Sequence, residues 1–215
     1  MSMSFERLSM QLNSRVDRLD SAFERHLFNL DNKRYVDIYA LQEGLISSLW
    51  QTWCLYCKSI FFGSIRGGIT SNGQHIVTPQ YFQLTDYELF YVAKLLGENK
   101  PVNQIKQAKP QSEPTWGDVN KLSLIFTLSN TPNSNYVSSP LSSSSLLKDL
   151  QMVRNATAHI NDNTVQNIKD ARVRYSSTKF NHPSDTIFWV DPLSKDYLWK
   201  AWVDEIKFIS LVMSQ

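Results

Sequence analysis

Apolar residues in the first thirty positions recur at steps of three and four. Phe5, Leu8, Leu12, Val16, Leu19, Phe23, Leu27 and Leu30 form one stripe on a helix of roughly seven turns, with charged and amide residues between them. Asp31-Asn32 reads as a turn. A second helix is expected from about Arg34 to Phe62, with Tyr35, Ile38, Leu45, Leu49, Trp53, Tyr56 and Ile60 near one face. Its second half is apolar all round, as a central helix of a bundle would be. Two long helices joined by a short turn make an antiparallel pair.

The pattern then breaks at Gly63, Gly67, Gly68 and Gly73. No strand precedes these glycines and no Gly-Lys-Ser/Thr follows, so they read as a flexible connector rather than a phosphate loop. Thr85 and Glu88 have the spacing of a capping box, opening a helix that should stop at Gly97. Residues 98 to 114 read as a Pro-rich loop, and Thr115 as the cap of a helix running to about Leu128. Residues 129 to 145 read as a Ser/Asn-rich loop. Near its end, Ser139-Pro140 look like the cap and first residue of a helix leading into Arg154, buried through Leu141, Leu150 and Val153. A helix over about 165 to 174 should follow. Thr186–Val190 reads as a strand pairing with 173 to 177, and a last helix should start at Asp191-Pro192. The expected fold is all-α: one helical bundle over 1–215, opened by the long antiparallel pair and carrying a small β-hairpin near 173–190.

Composition narrows the classes. A hydrophobic share of 42% with 20% charged residues is globular, and a net charge of +2 sets up no global field toward an anionic partner. The two cysteines, Cys54 and Cys57, cannot close a zinc site alone and read as small hydrophobes on a buried helix face. The charged start MSMSFERLSMQL lacks the apolar core of a signal peptide, and no run reaches the ~18 apolar residues of a membrane span. A soluble, cytoplasmic protein is expected. His26, His75 and His182 have no metal-ligand spacing with other residues and read as structural or solvated.

The chemistry concentrates in LQMVRNATAHIND, residues 150 to 162. Arg154 and His159 lie about 140° apart on an ideal helix, whereas Asn155 and His159, four apart, share a face. The arginine and histidine converge only if the helix distorts or ends near Ala156, or if a second copy of the segment completes the site. Histidine can move a proton near neutral pH, arginine can hold a phosphate in a fixed fork, and asparagine can orient either. Asp162 stands alone, which argues against a two-metal nuclease. Proton transfer with phosphate stabilisation fits attack of an RNA 2′-hydroxyl on its own 3′-phosphate, leaving a 2′,3′-cyclic phosphate. Between residues 141 and 179, six cations (Lys148, Arg154, Lys169, Arg172, Arg174 and Lys179) face three carboxylates (Asp149, Asp162 and Asp170). Lys148, Lys169, Arg172 and Arg174 are therefore candidate RNA-binding residues. Tyr175 and Phe180 could stack bases or belong to the core.

RNATAH, Arg154 to His159, resembles the Arg-x4-6-His motif of the HEPN superfamily (higher eukaryotes and prokaryotes nucleotide-binding), in which the residue after the arginine is commonly polar, as Asn155 is. LWQTWCLYCKSIFFGSIRGG is similar to the second helix and turn of bacterial HEPN proteins linked to phage defence and toxin–antitoxin loci. The resemblance implies a HEPN-like bundle and a metal-independent endoribonuclease without a cofactor. It implies a homodimer whose two motifs share one site, with Arg154, His159 and Asn155 as catalytic residues. An antitoxin or other regulatory protein is the implied partner. In one branch of the family a tyrosine two places after the histidine is modified; Asn161 stands there, so that regulation is not carried over. The alternative is a non-catalytic module that binds RNA or a nucleotide, or that dimerises.

Overall fold

The computed structural model describes residues 3–29, 34–102, 105 and 113–215. The expected Asp31-Asn32 turn, Leu30 and most of the 98–114 loop lie outside them. The described chain is mainly α-helical, with one small sheet. It divides into two compact units, Met1–Leu12, Trp53–Ser144 and Phe208–Gln215 forming one, Asn13–Thr52 and Ser145–Lys207 the other. Among the described residues no helix is long and apolar enough to cross a membrane.

Helix α1 (Phe5–Leu27) follows the first stripe: Phe5, Leu12, Val16 and Phe23 are buried. Helix α2 (Tyr35–Arg66) runs one turn beyond the expected end at Phe62. The reason lies in the first unit, where Gly63 continues the helix against the Phe5 ring. A Cβ on Gly63 would sit 2.4 Å from Phe5 Cε1, and one on Gly68 2.3 Å from the same atom. Gly67, at φ +108°, stops α2 in a conformation that favours glycine. The stretch expected to be a flexible connector is instead an ordered sheet. β1 (Met3–Ser4) pairs parallel with β2 (Gly68–Ile69), Met3 opposite Gly68, and β2 pairs antiparallel with β3 (His75–Ile76), Gly68 opposite Ile76. The glycines thus serve close packing and tight turns.

The other regular elements described in the first unit are helices. α3 (Asp86–Gly97) has the full Thr85/Glu88 capping box and ends at Gly97, as the sequence predicts. α4 (Val119–Leu128) is capped by Asp118 rather than Thr115: the Asp118 carboxylate accepts from the amides of Asn120 and Lys121, both at 3.1 Å. α5 (Ser134–Ser143) occupies the middle of the expected Ser/Asn-rich loop, with Val137 and Leu141, four apart, buried. Serine content masked that short stripe. Pro140 lies inside α5 and does not open the next helix, and Ser144, in extended backbone, separates the two.

In the second unit, α6 (Ser145–Ala158) packs on α7 (Asp162–Ala171) and on a 3-10 helix, Pro183–Phe188. That 3-10 helix replaces the expected strand. Pro183 starts it, His182 and Asp185 close a capping box, and Thr186 and Ile187 are buried within it. Only the Ser176–Val190 bridge of the expected hairpin is present among the described residues. Helix α8 (Leu198–Met213) begins later than expected, because Asp191 closes a turn by accepting from the Ser194 amide at 2.8 Å. The core of this unit includes Phe23, Leu49, Leu150, Val153, Trp189, Trp199 and Trp202, with Trp199 Nε1 donating to Asp20 at 3.0 Å.

Candidate functional site

α6 positions Arg154 and Asn155. Leu147, Leu150, Val153 and Ala156, each three apart, are fully or almost fully buried and fix which side of the helix faces inward. Arg154 falls at the flank of that side. It is half-buried, its Nε is buried without a hydrogen-bond partner among the described residues, and its Nη1 donates to Asn155 Oδ1 at 3.2 Å. Helical bonding does not stop at Ala156: α6 runs to Ala158, and the His159 amide still donates to the Asn155 carbonyl at 2.9 Å. One chain therefore keeps the wide angular separation between Arg154 and His159, and no hydrogen bond joins them among the described residues.

The His159 side chain is exposed and its backbone is held firmly. Its carbonyl accepts from Asn161 Nδ2 at 3.1 Å and from Thr164 Oγ1 at 2.9 Å. Asn161 and Thr164 also form the capping box of α7, so a single two-residue device satisfies the end of α6 and the start of α7. The imidazole is thus presented on a short, doubly capped turn. Lys148, Asn155 and His159 lie within about 40° of one another around the helix, which makes an outward stripe with exposed residues at both ends.

The four candidate RNA-binding cations divide into two pairs. Lys148 and Lys169 are exposed, and neither has a carboxylate partner among the described residues. Arg172 spends its guanidinium on Thr178, donating to the carbonyl at 2.9 Å and to Oγ1 at 3.3 Å. Arg174 is paired with Asp149, whose other oxygen accepts from the Tyr175 hydroxyl. Burial pushes the Asp149 carboxyl up, while Tyr175 and Arg174 pull it back. Burial, and then the Asp149 carboxylate, holds the Tyr175 phenol well above its ordinary range. Tyr175 and Phe180 both lie against Trp189, with ring centroids at 5.8 and 6.2 Å, so both belong to a packed cluster.

The Asp149–Arg174–Tyr175 tie escaped the sequence reading. A signal was present: Asp149 sits four before Val153 and seven before Ala156, on the apolar face, and a carboxylate there needs partners. Cys57 is fully buried, and burial drives its thiol well up, which removes nucleophilic character. His26 is buried beside Gln42, His75 is exposed on β3, and His182 caps the 3-10 helix. Among the described residues no group of three His, Cys, Asp or Glu side chains could hold a metal ion. Compared with protein-family models, curated proteins and solved structures, the chain finds no match in any of the three.

Proposed function

We propose that the chain is a metal-independent endoribonuclease of HEPN type that works as a homodimer. The observation that carries this reading is the exposed His159 at the end of an unbroken α6, turned away from Arg154 of its own chain. Two such ends meeting across a two-fold axis bring one chain's arginine toward the other's histidine. His159 takes the proton of an RNA 2′-hydroxyl, and that oxygen bonds to the adjacent phosphorus. The bond from phosphorus to the 5′-oxygen breaks, and the leaving oxygen takes a proton from the second histidine. Arg154 stabilises charge on the phosphoryl oxygens, Asn155 holds the guanidinium in place, and Lys148 and Lys169 contact flanking phosphates. Arg172 and Arg174, engaged with Thr178 and Asp149, contribute positive potential rather than free donors. A toxin or anti-phage role, restrained by an antitoxin or regulatory protein, follows from the family resemblance.

One observation favours a second reading, a non-catalytic module that binds RNA or a nucleotide, or dimerises: the Arg154 guanidinium is half-buried and bonded to Asn155. The two readings separate when purified protein in EDTA is offered an RNA and the DNA of the same sequence. The nuclease reading predicts that wild type cuts the RNA and leaves the DNA intact. RNA bound but never cut, with binding lost in Arg154→Ala, would establish the module instead.

A further inference from the structure

The second unit holds a cavity of about 230 Å3 whose lining shares no residue with the Arg154–His159 segment. Tyr35, Tyr39 and Phe188 supply aromatic walls, buried Gln42 the floor, and Lys179 and Asp185 charges at the side. Tyr39 and Phe188 are fixed from behind, whereas Tyr35 is exposed and stacks on Tyr39 with ring centroids 6.3 Å apart. Tyr39 stacks on His182, centroids 4.4 Å apart and planes 21° apart. His182 is itself clamped: Nδ1 lies 2.8 Å from Ser184 Oγ and 3.2 Å from the Ser184 amide nitrogen, and Nε2 lies 3.3 Å from Glu43 Oε1. Ser184 Oγ lies 2.7 Å from the Gln42 amide, and the other end of that amide lies 3.2 Å from His26 Nε2. The floor cannot swing away without breaking this buried chain. Phe188 is held against Phe23 and Tyr197, at 5.9 and 6.2 Å.

A cavity of about 150 Å3 takes a benzene ring, so this one has room for one to two fused rings. The charges are unequal in what they have left to offer. The Asp185 carboxylate already accepts from the amides of Asn181 and His182, at 2.8 and 2.9 Å. The exposed Lys179 ammonium has no carboxylate partner among the described residues. Burial and the nearby Asp185 also raise the Tyr39 phenol, so this wall stays neutral at ordinary pH.

We propose that this pocket binds a small planar aromatic anion of one or two fused rings, stacked on Tyr39 with its anionic group on Lys179. The site stands independently of the nuclease reading. The test is calorimetric titration of the full chain with 2-naphthoate and with uncharged 2-naphthalenemethanol. The variants are Lys179→Gln and Asn181→Trp, the latter placing an indole in the pocket from its exposed rim. Thermal melts confirm that both variants fold as wild type does. Wild type should bind naphthoate saturably, Lys179→Gln should weaken it about fivefold without changing the alcohol, and Asn181→Trp should remove both. No saturable binding by wild type at millimolar probe, equal binding of acid and alcohol, or binding untouched by Asn181→Trp would each overturn the proposal.

Discussion

At the residue scale, the proposed function and the stability of the fold separate along α6. His159 is exposed and contributes only its backbone to the turn, so His159→Ala should melt within about a degree of wild type. In the proposed mechanism it should lose at least about a hundredfold in RNA cleavage. Cleavage retained, or a melting temperature that falls with it, would move His159 out of the reaction. Arg154→Lys should not restore what Arg154→Ala loses, because a lysine offers a point charge where the guanidinium offers a fork. Tyr175 behaves in the opposite way. Its phenol is raised above the ordinary 10.0, so the folded chain keeps a proton that the unfolded chain releases. That contribution is full below pH 10.0 and is lost as pH rises through the raised value. The melting advantage of wild type over Tyr175→Phe should therefore hold steady to about pH 10 and shrink above it. An advantage that grows with alkali would contradict this account.

At the element scale, glycines mark packing. Gly63→Ala would drive a methyl into the fully buried Phe5 ring and should cost about 1–3 kcal/mol, read as a lower urea midpoint at unchanged slope. A neutral effect would show that the Phe5 ring has room to move. The elements most legible in the sequence are those whose signal is long or local: the α1 stripe, the Thr85/Glu88 box, the Gly97 stop and the helix carrying Arg154. Elements that depend on distant partners were not legible. α5 hid in a serine-rich run because two buried residues, Val137 and Leu141, outweigh weak helix formers once there is a core to bury them. The 186–190 run has strand-like composition, yet Pro183 and the His182/Asp185 box fold most of it as a 3-10 helix. At the candidate site, Arg154, Asn155 and His159 were read from their spacing, their chemistry and the family resemblance. The Asp149 tie went unseen because its partners lie 25 and 26 residues away. The aromatic pocket draws its walls from α2 and the 177–188 region, two segments with no local pattern in common.

At the scale of the whole molecule, the geometry of one chain leaves its arginine and histidine apart, and the proposed activity therefore rests on two copies. The chemistry it predicts is specific, because attack by a neighbouring hydroxyl leaves ends that attack by water does not. The most direct measurement is the end-group analysis of RNA incubated with wild type and with His159→Ala in EDTA. The account predicts 2′,3′-cyclic phosphate and 5′-hydroxyl ends from wild type and intact RNA from the variant. Ends carrying a 5′-phosphate, or the same cleavage by both proteins, would contradict it.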